Sequence, residues 1–143
     1  MEIRRCTAAD FDAVVSLLRQ LWPEKALNRE SLRRVFDRAL RSEAQCYLCA
    51  VEDGRVVGFC SMTLINSLWV EAPLAYLNEL VVAEDSRGRG IGSQLMNAMT
   101  ELARQQGAKQ VELDSAFHRK AAHRFYERGG FESRAYVFSR PLQ

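Results

Sequence analysis

The sequence predicts an α/β (α+β) fold, with a mixed central sheet of about six to seven strands flanked by about four helices in the order β-α-α-β-β-β-α-β-α-β. Three observations carry that expectation. Apolar residues recur at helical spacing in two early segments and two later ones. An Asp53-Gly54 turn signal separates two β-type runs. A strand, a glycine-rich loop and a helix then follow one another between Leu74 and Gly107. At 143 residues, 48% hydrophobic and 27% charged, the chain has ordinary globular composition and reads as a single domain over 1–143. A domain of this length buries roughly 70% of the surface its unfolded chain exposes, so it needs neither disulfides nor a structural metal to fold.

Taken in order, Glu2 to Cys6 reads as a short strand, and Thr7-Ala8-Ala9-Asp10 as a capping box with a shorter acid at its last position. Phe11, Val14, Val15, Leu18, Leu21 and Trp22 then give an amphipathic helix that Pro23 stops. Asn28 caps a second helix whose stripe is Leu32, Val35, Phe36, Ala39 and Leu40. Cys46 to Glu52 and Val56 to Ile65 form the hairpin, and Leu74 to Val82 a further strand. The next helix carries Ile91, Leu95, Ala98, Met99, Leu102 and Ala103 on one side and ends at Gly107. A strand with Val111 and Leu113, a helix with Ala121, Ala122, Phe125 and Tyr126, and a closing strand from Ala135 to Phe138 complete the pattern.

Composition also excludes classes. Cys46 and Cys49 form a C-x-x-C, but strand alternation sends positions three apart to opposite faces; with two histidines in the chain, no metal site is expected. The cysteines read as buried thiols of a reducing cytoplasm. Met1 to Arg5 runs into polar and acidic residues, unlike a signal peptide, and no apolar stretch approaches the roughly 20 residues of a spanning helix. A net charge of +2 is too small to argue for a nucleic-acid surface, and Arg33, Arg34, Arg38 and Arg41 read as the solvated side of the second helix.

The strongest signal is Arg87-Gly88-Arg89-Gly90-Ile91-Gly92. Glycines at alternate positions between a strand and a helix let the backbone approach a bulky ligand. Unpaired amides and the dipole of the helix start suit a pyrophosphate, to which Arg87 and Arg89 add charge. A dinucleotide fingerprint would need glycine where Ser93 or Leu95 stands, and a P-loop would need a Gly-Lys-Ser/Thr that is missing.

What survives is R-x-x-G-x-G on Arg87, Gly90 and Gly92, and here the sequence resembles the GNAT superfamily of acyl-CoA transferases. Leu80-Val81-Val82 before the loop, Ile91 to Met96 after it, and Ala122 to Phe131 resemble, in order, the family's central strand, coenzyme-binding helix and closing helix-and-strand motif. The resemblance implies a GNAT-like fold and transfer of an acetyl group from acetyl-CoA to a primary amine of a small molecule or peptide, by direct attack in a ternary complex. It places coenzyme contacts at Leu80, Val81, Val82, Arg87, Gly88, Arg89, Gly90, Ile91, Gly92 and Ser93. An acyl-CoA-binding regulatory module without turnover is the alternative, and a ping-pong route through Cys60 a variant of the chemistry.

That reaction sets residue requirements. An alkyl amine with a pKa of about 10.4 is protonated at neutral pH, so a base is needed. Glu79 on the central strand is the expected base, with Asp114 and Glu71 as rivals. The resemblance puts an oxyanion-binding amide near Val81 or Val82, and matches Tyr126 to the acid that protonates the leaving thiolate. Where many relatives carry an asparagine about seven positions before that tyrosine, this chain has Arg119, which with His118 and Lys120 either meets the coenzyme phosphates or starts a solvated helix. Trp22, Glu24, Trp69 and Glu71 are candidates for recognising a cationic acceptor. No nucleic-acid or membrane partner is expected, and a homodimer is left open.

Overall fold

The computed structural model describes residues 1–142 and shows two compact units, one from Met1 to Glu112 and one from Leu113 onward. The first is built on a sheet whose strands lie in chain order: β1 (Glu2–Arg5), β2 (Gln45–Glu52), β3 (Arg55–Ser67), β4 (Ala72–Val82) and β5 (Gln110–Leu113). β1 to β4 pair antiparallel. Between β4 and β5 the chain crosses over through α3 (Ile91–Gln105), the kind of connection that parallel neighbours need. The β2–β3 turn is the expected one: Asp53 and Gly54 take φ of 51° and 75°, the two left-handed positions of a tight hairpin turn.

One side of this sheet carries α1 (Phe11–Leu21) and α2 (Arg29–Leu40). A capped 3-10 turn over Ala8–Asp10 leads into α1, and Asn28 caps α2. The Thr7 amide donates to Asp10 Oδ2 at 2.7 Å, and the Ser31 amide donates to Asn28 Oδ1 at 2.9 Å. Phe11, Val14, Val15, Leu18 and Phe36 pack with Cys49, Phe59 and Val81 of the sheet. Edge contacts run Phe11–Phe36–Tyr47–Phe59 at centroid distances of 5.4, 5.5 and 5.3 Å, pairs worth about 1 kcal/mol each beyond their buried area. Val35, expected in the α2 stripe, is instead 57% exposed; Phe36 and Ala39 cover the sheet without it. Met62, Ala75, Leu77, Met96 and Met99 meet on the α3 side.

The sheet has five strands among the described residues rather than six to seven. Residues 135–138, expected to close it, take no regular structure; Tyr136, Val137 and Phe138 are 75%, 61% and 92% exposed. Four consecutive apolar or small residues present no alternating face to bury, and a strand persists only where a neighbouring backbone completes its ladder. The second unit centres on α4 (Lys120–Arg128), where Tyr126 meets Phe125 and Phe131 at 5.4 and 5.8 Å. No helix among the described residues is long and apolar enough to cross a membrane.

Candidate active site

The glycine loop sits where β4 hands over to α3. Gly88 and Gly90 take φ of 78° and 81°, left-handed values that side chains resist, and Gly90 is the residue from which α3 springs. Gly92 is helical and has no such requirement. The first bond of the helix ladder runs from the Gln94 amide to Gly90 O at 3.1 Å, which leaves the amides of Ile91, Gly92 and Ser93 outside it. Space around the loop is open: a Cβ built on Gly88 or Gly90 meets no atom within 4 Å. Ile91, by contrast, is 3% exposed and anchors the helix start in the core. Amides outside the helix ladder, beside the positive end of a four-turn helix, suit an anion such as a diphosphate.

Side chains from the hairpin fasten this loop. Arg89 pairs with Glu52 at 2.6 Å and Arg55 with Asp85 at 3.0 Å, so the two residues flanking the Asp53-Gly54 turn each hold one side of the loop. The guanidinium of Arg89 keeps Glu52 below the usual carboxylate range, and that of Arg55 does the same for Asp85. Arg87 donates from Nε to Val82 O at 3.0 Å. Both arginines expected at the phosphates therefore also brace the loop they belong to. Leu80 and Val82 are half-buried and Val81 is buried, so of these three only Val81 is fully enclosed. The Ala83 amide bonds Val57 O at 2.8 Å, on the β3 side; since successive strand amides point to opposite sides, the Val82 amide faces away from β3.

Glu79 owes its place to a β-bulge. Ser61 pairs with Glu79 but Met62 pairs with Leu77, leaving Asn78 as an extra residue in β4. Cross-strand partners share a face. Regular alternation would put Leu77 and Glu79 on one face; the bulge sends Leu77 to the α3 side and Glu79 to the opposite side, with Val81 and Phe59. There the half-buried Glu79 accepts from Ser61 Oγ at 2.5 Å, while its own amide donates to the same Oγ at 3.0 Å. Burial and the charge of Glu79 push the Tyr47 hydroxyl up to about 12. Ser61 and the bulge are what the sequence reading missed. The adjacent polar pair Asn78-Glu79, interrupting an apolar strand, was the available signal.

The rivals fall elsewhere. Glu71 is an exposed turn residue with φ of 58°, Trp69 is 86% exposed at that same turn, and Asp114 is exposed. Cys60 is fully buried, and burial pushes its thiol up, away from the thiolate that a ping-pong route requires. All four cysteines are buried and unpaired, and Cys46 and Cys49 pair with Met62 and Phe59, on opposite faces of the sheet. Residues Glu79 to Ser93 lie in the first unit. Tyr126 and Arg119 belong to the second, both half-buried, Arg119 immediately before α4 with its amide bonded to Ala116 O at 3.0 Å.

Residues 11–131 match the model of the Acetyltransferase (GNAT) family. The aminoalkylphosphonate N-acetyltransferase of Salmonella typhimurium is 35% identical over 141 residues, covering 99% of this chain and 91% of that protein. The aminoglycoside N(6')-acetyltransferase type 1 of Stenotrophomonas maltophilia is 28% identical, covering 99% and 94%. Among solved structures, aminoglycoside N-acetyltransferase AAC(6')-Iy in complex with CoA superposes with a TM-score of 0.85 at 20% identity, covering 98% and 93%.

Proposed function

Because the chain belongs to the acetyltransferase (GNAT) family, we propose that it moves an acetyl group from acetyl-CoA to a primary amine of a small molecule or peptide, by direct attack in a ternary complex. The observation that carries this reading is the row of amides outside the helix ladder at Ile91, Gly92 and Ser93, behind two left-handed glycines. The family match from 11 to 131 supports one catalytic domain spanning both units.

Acetyl-CoA supplies the activated thioester; the chain's residues bind it and handle protons. The loop from Arg87 to Ser93 holds the diphosphate through backbone amides, with Arg87 and Arg89 adding charge, and Leu80, Val81 and Val82 line the acyl arm. Glu79 takes a proton from the acceptor ammonium, directly or through water, and the neutral amine so formed attacks the thioester. The Val82 amide, facing away from β3, is the better placed of the two amides to stabilise oxyanion charge, a contribution of about 3 kcal/mol. Tyr126 returns a proton to the leaving thiolate, and Arg119 stands at a turn where it meets the coenzyme's phosphates. Relatives named for aminoalkylphosphonates and aminoglycosides make small amines the acceptors to try first. Four unpaired thiols favour the cytoplasm, and exposed Trp69 and Phe138 offer apolar contact to a second copy in a homodimer.

The test is thiol release from acetyl-CoA across aminoalkylphosphonates, aminoglycosides, polyamines and short peptides. Release that depends on the amine and falls about a hundredfold or more in Glu79→Gln supports the reading. Acetyl-CoA binding without release on any amine supports a non-catalytic coenzyme-binding module instead. Wild-type turnover in Glu79→Gln removes the base.

A further inference from the structure

Ser61 is the one fully buried hydroxyl in a run of β3 that otherwise encloses Val57, Gly58, Phe59, Cys60 and Met62. A hydroxyl buried among apolar groups is unfavourable unless its hydrogen bonds are made. Here the partner is specific. The Glu79 amide donates to Ser61 Oγ at 3.0 Å, so the single hydroxyl proton is left to point at Glu79 Oε1, 2.5 Å away. Backbone and side chain of one residue thus close on one hydroxyl, and the bulge at Asn78 brings that residue to the face where Ser61 waits.

We propose that Ser61 is a positioning residue for Glu79, holding its carboxylate in a single orientation and favouring the ionised form that accepts a proton. The proposal rests on the reading of Glu79 as the base. A hydrogen bond donated to a carboxylate stabilises its charged state, while burial opposes it, so Ser61 offsets the cost of placing a base in a partly enclosed site. Of the titratable groups on the neighbouring strands, Tyr47 on β2 lies opposite Ser61 and shares the face of Glu79, while Cys60 on β3 lies on the other face but close enough to feel its charge. Both are pushed up by burial and stay neutral across the working range, so a titration in the acid region reports Glu79 rather than its neighbours.

The experiment compares wild type, Ser61→Ala, Glu79→Gln and the double variant in turnover with the best amine of the acceptor screen, together with a carbon-13 carboxyl titration of Glu79 by NMR. Ser61→Ala is expected to lower kcat about tenfold with the KM for acetyl-CoA unchanged. The acid limb of the rate profile and the Glu79 titration should both move to higher pH. In the Glu79→Gln background the same substitution should cost no further rate. Ser61→Cys, similar in size but a weaker donor, should fall between serine and alanine and guards against a packing defect. An unmoved carboxyl titration, or an equal rate loss with and without Glu79, overturns the proposal. If Glu79→Gln is inactive while Ser61→Ala behaves as wild type, the positioning role alone fails; if Glu79→Gln retains full activity, the base assignment fails and takes the role of Ser61 with it.

Discussion

Adding one methyl group at Gly58 tests how tightly the glycine loop is coupled to the core. A Cβ built there lies 2.8 Å from Leu95 Cδ1, 3.3 Å from Ile91 Cγ2 and 3.4 Å from Val81 O. Leu95 is 0% exposed and Ile91 3%, so neither side chain can swing aside; both are on the first turns of α3, which must move outward. Overpacking of this kind costs about 1–3 kcal/mol, and the reduced freedom of the unfolded chain returns about 0.4–1 kcal/mol, because φ at Gly58 is not in the left-handed region and alanine is allowed there. Taken at the middle of these ranges, the net expectation for Gly58→Ala is a loss of about 1.3 kcal/mol, or roughly 4 °C in Tm for a chain of this size. Since Ile91 carries the first of the amides outside the helix ladder, acetyl-CoA affinity should fall as well. Thermal melts with and without acetyl-CoA measure both effects. A variant that melts at or above the wild-type temperature would refute the claim that α3 is seated directly on the β3 backbone.

Three further outcomes are expected. Asp10→Asn breaks the bidentate contact from Arg4, at 2.8 and 3.0 Å, and should cost about 2 kcal/mol at pH 7, below the range for fully buried pairs because the Arg4 side chain is 36% exposed; urea melts measure it. That hydrogen bond holds Asp10 below its usual range, so its stabilisation is complete above the unfolded pKa and disappears as pH falls through the lower folded value; between pH 5 and pH 2 wild type should therefore lose more stability than Asp10→Asn. Gly90→Ala meets no atom but is forced to φ of 81°, so a loss of about 1 kcal/mol and weaker acetyl-CoA binding are expected, whereas Ser93→Ala on the exposed side of the same turn should leave stability unchanged. Tyr126→Phe should lower kcat at least about tenfold; unchanged turnover would strip Tyr126 of the acid role.

Much of this architecture was legible because its signals are local. The Asn28 cap, the Thr7–Asp10 pair, the Asp53-Gly54 turn and the glycines at 88 and 90 each specify backbone within a few residues. What escaped depends on partners far along the chain. Ser61 takes its meaning from Glu79, 18 residues on, and Arg89 from Glu52, 37 residues back. The bulge at Asn78 exists only in the register of β4 against β3. Residues 135–138 show the converse: β-forming side chains without a ladder to join remain irregular. Val35 fits the helical period of α2 but lies at the margin of its buried stripe, where periodicity alone cannot fix which residue the sheet covers.

The amides of Ile91, Gly92 and Ser93 are observable one by one in a proton–nitrogen correlation spectrum of the labelled protein titrated with acetyl-CoA, and repeated with S-acetylpantetheine, which lacks the diphosphate. The largest shifts at these three amides should appear with acetyl-CoA and vanish with the phosphate-free thioester. Saturating acetyl-CoA that leaves them unmoved would contradict the diphosphate cradle at the start of α3.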